Sequence, residues 1–341
     1  MRTVVPNVRA WRHDLGGCLH ACLASLLEHR GVAALPVLGA GWTFRHFPKG
    51  VRREEYYYPC TDGESLLSAV APHHPVRSRW HHPADADAGW AQVRDAVAAG
   101  APVAVAVDNF HLPFRPAHRD VHSNHLIVVH GFDDNQGTVR VLDAVPPAFH
   151  GDIGLAELTA ARDSGNPAVH ARDMFFTGVD IGNRWLSVEI DGEPDQIGSL
   201  DRARVAHVVA ANLDHFRAPS SIEGYVGLAG QRAFLDSAVD ALRTGEDIGD
   251  ELFVAAGAVL ACTALHADWL ALAGHVVDSP DLRECGREVE RLAHHWSAVR
   301  IMAALARTGD LAPARLAGRA HTLMADHETA LENLDRARRQ L

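Results

Sequence analysis

The sequence predicts an α+β protein: an N-terminal domain with a central antiparallel sheet, residues 1–195, followed by an all-α C-terminal domain, residues 196–341. Three observations carry that prediction. Short apolar runs separated by Gly, Pro and Asn turns fill the first part of the chain. Two of them, His125–Phe132 and Thr138–Asp143, flank the turn residues Asp133-Asp134-Asn135-Gln136-Gly137, which is a hairpin pattern. Beyond residue 200 prolines become rare and apolar residues recur at helical spacing. The polar, turn-rich stretch Asp191–Ser199 separates the two patterns.

The first helix is expected over Gly17–His29. Leu19, Cys22, Leu23, Leu26 and Leu27 form one stripe at i, i+3, i+4, i+7, i+8 spacing, Gly16-Gly17 precede it and Gly31 closes it. Cys18 then falls on the first helical turn, where the macrodipole favours an anion. Val103–Asp108 alternates valine with alanine and reads as a strand. His125–Phe132 is a continuous apolar run, the pattern of a strand buried on both faces. Thr138–Asp143 completes the hairpin, and Met174–Ile181 and Trp185–Ile190 are further strand candidates. Four to six helices are expected in the C-terminal part. One carries Leu228, Leu235, Val239 and Leu242, another Leu292, Trp296, Val299 and Ala303.

Composition excludes several classes. The 341 residues are 47% hydrophobic, which argues against wholesale disorder, and carry 32 basic against 43 acidic groups, a net charge of −11. A general nucleic-acid binder needs the opposite balance, because phosphate neutralisation dominates its affinity. No leader is visible. The longest apolar run, Leu252–Leu272, is interrupted by His266 and Asp268, so no membrane partner is expected. Five irregularly spaced cysteines do not make a disulfide framework, which points to a reducing, cytoplasmic compartment. Twenty-three histidines occur without HExxH or CxxC, so no metal is expected.

The informative set is Cys18, His125 and Asp143. A thiol on a helix N-terminus is stabilised as thiolate by the unpaired N–H groups there. A symmetric hairpin around Asn135 places residue 125 opposite 145 and residue 127 opposite 143. His125 and Asp143 then share a face, one diagonal step apart. That geometry suits a carboxylate orienting an imidazole that faces a thiol, although each residue taken singly is equally at home as structure. Asp108 ends a strand and either binds an amine or caps the following turn. His122 is a candidate for the acceptor site, against a place in a solvated loop, and Trp42 for the wall of an acyl pocket, against core or surface packing. Arg45, Lys49, Arg52 and Arg53 form a basic island in an acidic chain, either a docking patch for an acidic partner or a solvated loop. His130, five residues from His125, falls on the opposite face as a structural histidine.

The segment Asp14-Leu15-Gly16-Gly17-Cys18, with Ala21, Leu23, Leu26, Leu27 and Gly31, resembles the start of the papain-like domains of bacteriocin-processing peptidases. The blocks LGAGWTFRHFP (Leu38–Pro48), PVAVAVDNFHLPF (Pro102–Phe114), HSNHLIVVHGFDD (His122–Asp134) and VRVLDA (Val139–Ala144) narrow the likeness. They resemble the butirosin biosynthesis protein H family. The resemblance implies a papain-like cysteine acyltransferase followed by a helical accessory region. It implies Cys18 as nucleophile, His125 as base and Asp143 as orienting carboxylate. The implied donor is an acyl carrier protein thioester and the implied acceptor a small amine. No cofactor is implied, since phosphopantetheine arrives on the carrier. The same triad also serves a cysteine peptidase or amidase, or a cyclase acting on a carrier-bound chain. A catalytically dead binding protein is the non-enzymatic alternative, and self-association is left open. Two positions depart from the relatives. Arg12 stands where the bacteriocin-processing enzymes place an oxyanion-binding glutamine, and Gly17 where butirosin-type relatives often have histidine.

Overall fold

A computed structural model describes residues 1–47, 53–55, 58–60, 63–169, 177–220 and 224–341. In chain order its elements are β1 (Arg2–Val4), α1 (Cys18–His29), α2 (Ala34–Leu38), β2 (Arg45–His46), β3 (Arg53–Glu55), β4 (Tyr58–Cys60), α3 (Leu66–Val70), β5 (Val76–His81), α4 (Ala86–Ala98), β6 (Val103–Asp108) and β7 (Asn124–Asp133). They continue with β8 (Thr138–Asp143), β9 (Phe149–Gly154), α5 (Leu155–Arg162), β10 (Trp185–Ile190), α6 (Arg202–Arg217), β11 (Tyr225–Val226), α7 (Gly227–Thr244), α8 (Gly249–Val276), α9 (Pro280–Arg307) and α10 (Pro313–Arg338). The strand candidate Met174–Ile181 lies partly outside the described residues, and its described part, 177–181, is not a strand.

The chain folds into two compact units, one from residues 1–34 and 76–195, the other from 35–75 and 196–341. The fold is α+β, with an antiparallel sheet in the first unit and most of the helix in the second. Segment 35–75, which the sequence pattern places with the N-terminal domain, packs instead with the C-terminal helices.

The first unit is a seven-stranded sheet in the order β5-β10-β6-β7-β8-β9, with β1 paired to the end of β7. Every pairing in it is antiparallel. β6 is buried along its whole length and β7 over all but its last residue, which explains why both read as unbroken apolar runs. The β7–β8 hairpin pairs Val128 with Leu142 and Val129 with Val141, then shifts register at a bulge between Val129 and Gly131. His130 occupies the bulge. Its Nδ1 lies 3.4 Å from the Val5 carbonyl and its Nε2 3.0 Å from Nε2 of His150, so it is a structural histidine.

α1 rests on this sheet against β7, β6, β8 and β10. Its stripe is buried as the spacing requires, and Ser25 closes the helix side by donating to Ala21 O (2.9 Å). Gly31, at φ +80°, ends the element in the left-handed conformation that a β-carbon disfavours.

The second unit centres on α8 and α9, two 28-residue helices joined by the three residues 277–279. Leu292, Trp296, Val299 and Ala303 are buried as one stripe of α9. α8 is long and apolar enough to cross a membrane by length and composition, and 72% of its apolar window is buried inside the unit. The unit is not purely helical, because two short ribbons, β2–β11 and β3–β4, come from the inserted segment and the α6–α7 connection.

Close backbone approach anchors the inserted segment. Gly39 O accepts from His266 Nδ1 at 2.9 Å, and Asn212 bridges Ala40 O (2.9 Å) and Trp42 N–H (3.3 Å). A β-carbon on Gly39 meets Leu265 O at 2.6 Å, Leu35 O at 2.9 Å and Trp269 Cβ at 2.9 Å. Gly39→Ala therefore destabilises the protein by about 2–3 kcal/mol, the usual cost of overpacking. The check is a lower urea midpoint at unchanged m-value.

Candidate active site

Three elements of the first unit build the site. Gly17, extended at φ −84° and ψ −177°, is the N-cap of α1, so the helix begins at Cys18 itself. Burial of Leu19, Cys22, Leu23, Leu26 and Leu27 fixes the rotation of α1 about its axis, and Cys18 is left part-exposed. The hairpin register continues from Val128–Leu142 to bring residues 127 and 143 opposite one another. His125 and Asp143 consequently share one face, diagonally apart.

His125 bridges the other two groups. Its Nε2–H donates to Asp143 Oδ2 at 2.8 Å, and its ring also hydrogen-bonds the Cys18 thiol. With Nε2 committed to the carboxylate, Nδ1 is the ring nitrogen left for sulfur. Leu126 N–H is a further donor to Cys18. His125 and Asp143 are both buried, at 4% and 2% exposure, so water does little to screen the pair.

Burial alone opposes charge on both His125 and Cys18. For His125 the Asp143 carboxylate, the Cys18 sulfur and the two hydrogen bonds outweigh burial, and its pKa rises to about 9. For Cys18, burial is likewise the largest single influence and acts upward. The His125 charge, the His125 hydrogen bond and the Leu126 N–H together overcome it, against an opposing push from Asp143, and the thiol falls below its usual range. The two shifts favour a thiolate–imidazolium pair near neutral pH.

The other described cysteines differ. Cys22, one turn further along α1, is buried, and burial with the nearby Cys18 and Asp143 charges raises its pKa well above normal. Burial raises Cys262 as well, and burial with neighbouring carboxylates lifts Cys285 to about 12. Iodoacetamide at pH 7 should therefore label Cys18 and leave Cys22, Cys60, Cys262 and Cys285 unmodified in the folded protein. A peptide map of the alkylated chain reads this directly.

Two contacts to Asp143 have no counterpart in the sequence reading. Arg115 Nη1 donates to the same Oδ2 at 3.1 Å and to Val145 O at 3.0 Å, while Val145 N–H donates to Oδ1 at 2.9 Å. Arg115 sits in the long β6–β7 connection, 28 residues before Asp143, and no local spacing pattern links them.

The structure assigns other candidates to packing. Asp108 is fully buried, and four donors saturate its carboxylate: Phe110 N–H (3.0 Å), Ser123 N–H (3.1 Å), His122 Nδ1 (2.7 Å) and Ser164 Oγ (2.7 Å). It pairs with Asn124, while its neighbour Val107 pairs with His125, so strand alternation turns Asp108 to the sheet face opposite the Cys18 relay. Asp108 thus organises the β6–β7 connection and does not offer a free carboxylate to an acceptor. His122 serves the same connection, held by Asp108 and stacked on Phe110 at 4.1 Å.

Trp42 belongs to the interior of the second unit. It is 1% exposed and lies between His266 and His327 at ring separations of 5.1 and 5.0 Å, with Phe216 on its edge, which leaves no wall for an acyl chain. Arg45 donates to both carboxylate oxygens of Glu64 at 3.1 and 3.0 Å, so its charge is matched locally. Lys49 and Arg52 lie outside the described residues, and of Arg53 only the β3 backbone is described. Arg12 pairs with Asp14 at 3.1 Å and is half exposed. A β-carbon at Gly17 meets nothing within 4 Å, so bulk at that position is sterically open. Among the described residues no group of three or more His, Cys, Asp or Glu converges as a metal site.

A helix-borne thiol, facing a histidine and an aspartate from adjacent antiparallel strands, defines an α+β cysteine protein of papain-like arrangement. Residues 17–144 match the family model described as butirosin biosynthesis protein H, N-terminal, and over this domain the chain is similar to that family. The match begins one residue before Cys18 and ends one residue after Asp143, so it spans all three groups of the relay. The family is named for butirosin biosynthesis. A search of curated proteins finds no match to the chain.

Proposed function

We propose that the protein is a cysteine-dependent acyltransferase that moves an acyl or aminoacyl group from a carrier-protein thioester to a small amine. The observation that carries this reading is the His125 bridge between Cys18 and Asp143. The Cys18 thiolate attacks the thioester carbonyl, and a new C–S bond forms as the carbon's bond to the pantetheine sulfur breaks. The departing pantetheine thiolate takes the proton held by His125. An amine then attacks the acyl-Cys18 carbonyl, His125 accepts the amine proton, and Cys18 leaves as thiolate with an amide as product. Asp143 holds the imidazole tautomer and orientation throughout.

The N–H groups of the first turn of α1, that of Cys18 among them, are the donors we assign to the tetrahedral oxyanion. The thioester supplies the driving force, so the scheme needs no resident cofactor. The resemblance to the butirosin family supports the carrier as donor. The relay itself supports only acyl chemistry at sulfur, which a peptidase or amidase shares.

Intact-mass analysis separates the readings. Incubation with an acyl-phosphopantetheinyl carrier should add the acyl mass to the protein, and a subsequent amine should remove it with formation of amide. Transfer to water from a peptide panel, with no adduct from the carrier, would reassign the protein as a peptidase.

A further inference from the structure

We infer that Arg115 is a positioning residue for the Cys18–His125 pair and acts on it through Asp143. The inference rests on the relay assigned above and adds a fourth member to it. Arg115 Nη1 and His125 Nε2 donate to the same carboxylate oxygen, at 3.1 and 2.8 Å. Nη1 also donates to Val145 O at 3.0 Å, and Val145 N–H donates to the other carboxylate oxygen at 2.9 Å. The guanidinium therefore holds both the Asp143 side chain and the peptide two residues on. Asp143 has little freedom to turn away from His125.

Charge gives Arg115 a second effect. The Asp143 side chain is 1% exposed and that of Arg115 11%, so the interaction is poorly screened. The titratable and charged groups facing this point are Cys18 and Cys22 from α1, His125 from β7, Asp143 from β8 and Arg115 from the β6–β7 connection. Of these described groups, His125 and Arg115 are the cations. Asp143 raises the proton affinity of both His125 and Cys18. The Arg115 charge opposes that influence, and so it helps Cys18 ionise at lower pH. Removing it leaves the carboxylate less compensated and moves thiolate formation upward.

The experiment is the pH profile of Cys18 alkylation by iodoacetamide for wild type, Arg115→Met, Arg115→Gln and Arg115→Lys. Alkylation needs no acyl donor, so the result is independent of which reaction the relay performs. Absence of an acyl-enzyme would remove the proposed function and leave this measurement intact.

The acid limb should move up by about one pH unit in Arg115→Met and Arg115→Gln, so both react about tenfold more slowly at any pH on the wild-type acid limb and reach the wild-type rate on the alkaline plateau. Arg115→Lys, which keeps the charge, should stay within about 0.3 pH units of wild type. Superimposable profiles for folded neutral variants overturn the inference, and so does a loss that is equal at every pH. Failure of both neutral variants to fold assigns Arg115 to the fold alone and overturns it as well.

Discussion

Cys18→Ala should give a folded protein that forms no acyl-enzyme and transfers no acyl group. A part-exposed first-turn thiol contributes little packing, so stability should stay within about 0.5 kcal/mol of wild type. The chemical loss is complete because the thiols of Cys22, Cys262 and Cys285 are raised above their usual range and Cys60 is buried. His125→Ala should lower the single-turnover rate by about 10³–10⁴-fold, since it removes both the charge that holds the thiolate and the proton carrier. Asp143→Asn should fall in a similar range. The amide keeps the shape, but as a donor it meets the Arg115 guanidinium and no longer selects the imidazole tautomer. Intact-mass and rapid-quench measurements read all three. Wild-type transfer by Cys18→Ala would falsify the assignment of the relay.

Acidification should destabilise the protein steeply between pH 7.5 and pH 5, and His266 and His327 should together supply about 4 kcal/mol of the loss. Both are buried in the second unit. Two ring nitrogens of His327 and Nε2 of His266 are enclosed without a hydrogen-bond partner. Burial lowers each pKa to about 3, against 6.5 for an ordinary histidine. The unfolded chain then binds more protons than the folded one between those limits. Stability falls as pH drops below 6.5 and goes on falling to about 3. At pH 5 each group contributes about 2 kcal/mol of the loss, a large part of the stability of an ordinary domain.

His125 has the opposite sign. Its raised pKa gives a contribution complete below 6.5 and lost as pH climbs through about 9, so acidification from pH 7.5 to pH 5 restores about 1 kcal/mol and offsets part of the acid effect. Urea titrations at the two pH values measure the difference, and His327→Leu should shrink it by about 2 kcal/mol. An unchanged difference in that variant would show that burial of His327 is not its source.

The parts of the molecule that could be read in advance are those whose cause is local. The α1 boundaries follow from Gly-Gly, one apolar stripe and Gly31, and the helix starts within one residue of the expected position. The hairpin register follows from the turn at Asn135 and the two apolar runs, because a one-residue slip would turn every side chain to the other face. That register is what carries His125 and Asp143 to one side of the sheet, so the relay was legible as a geometric consequence.

What resisted reading depends on contacts between distant segments. Segment 35–75 lies within the first part of the chain, yet hydrogen bonds from His266 and Asn212 and the close approach of Gly39 to Leu265 place it in the helical unit. Asp108 stands at a strand end like a functional carboxylate, and only the arrival of His122, Ser123 and Ser164 around it shows that its hydrogen-bonding capacity is spent. Arg115 is one arginine among many in a loop until folding sets it on Asp143 Oδ2.

The sequence by itself determined the α+β class, the helix bearing the thiol and the hairpin that aligns histidine with aspartate, because periodicity and turn chemistry act over a few residues. The tertiary structure alone decided which polar groups remain available for chemistry. Desolvation and partner saturation arise only when segments remote in the chain close around the same few ångströms.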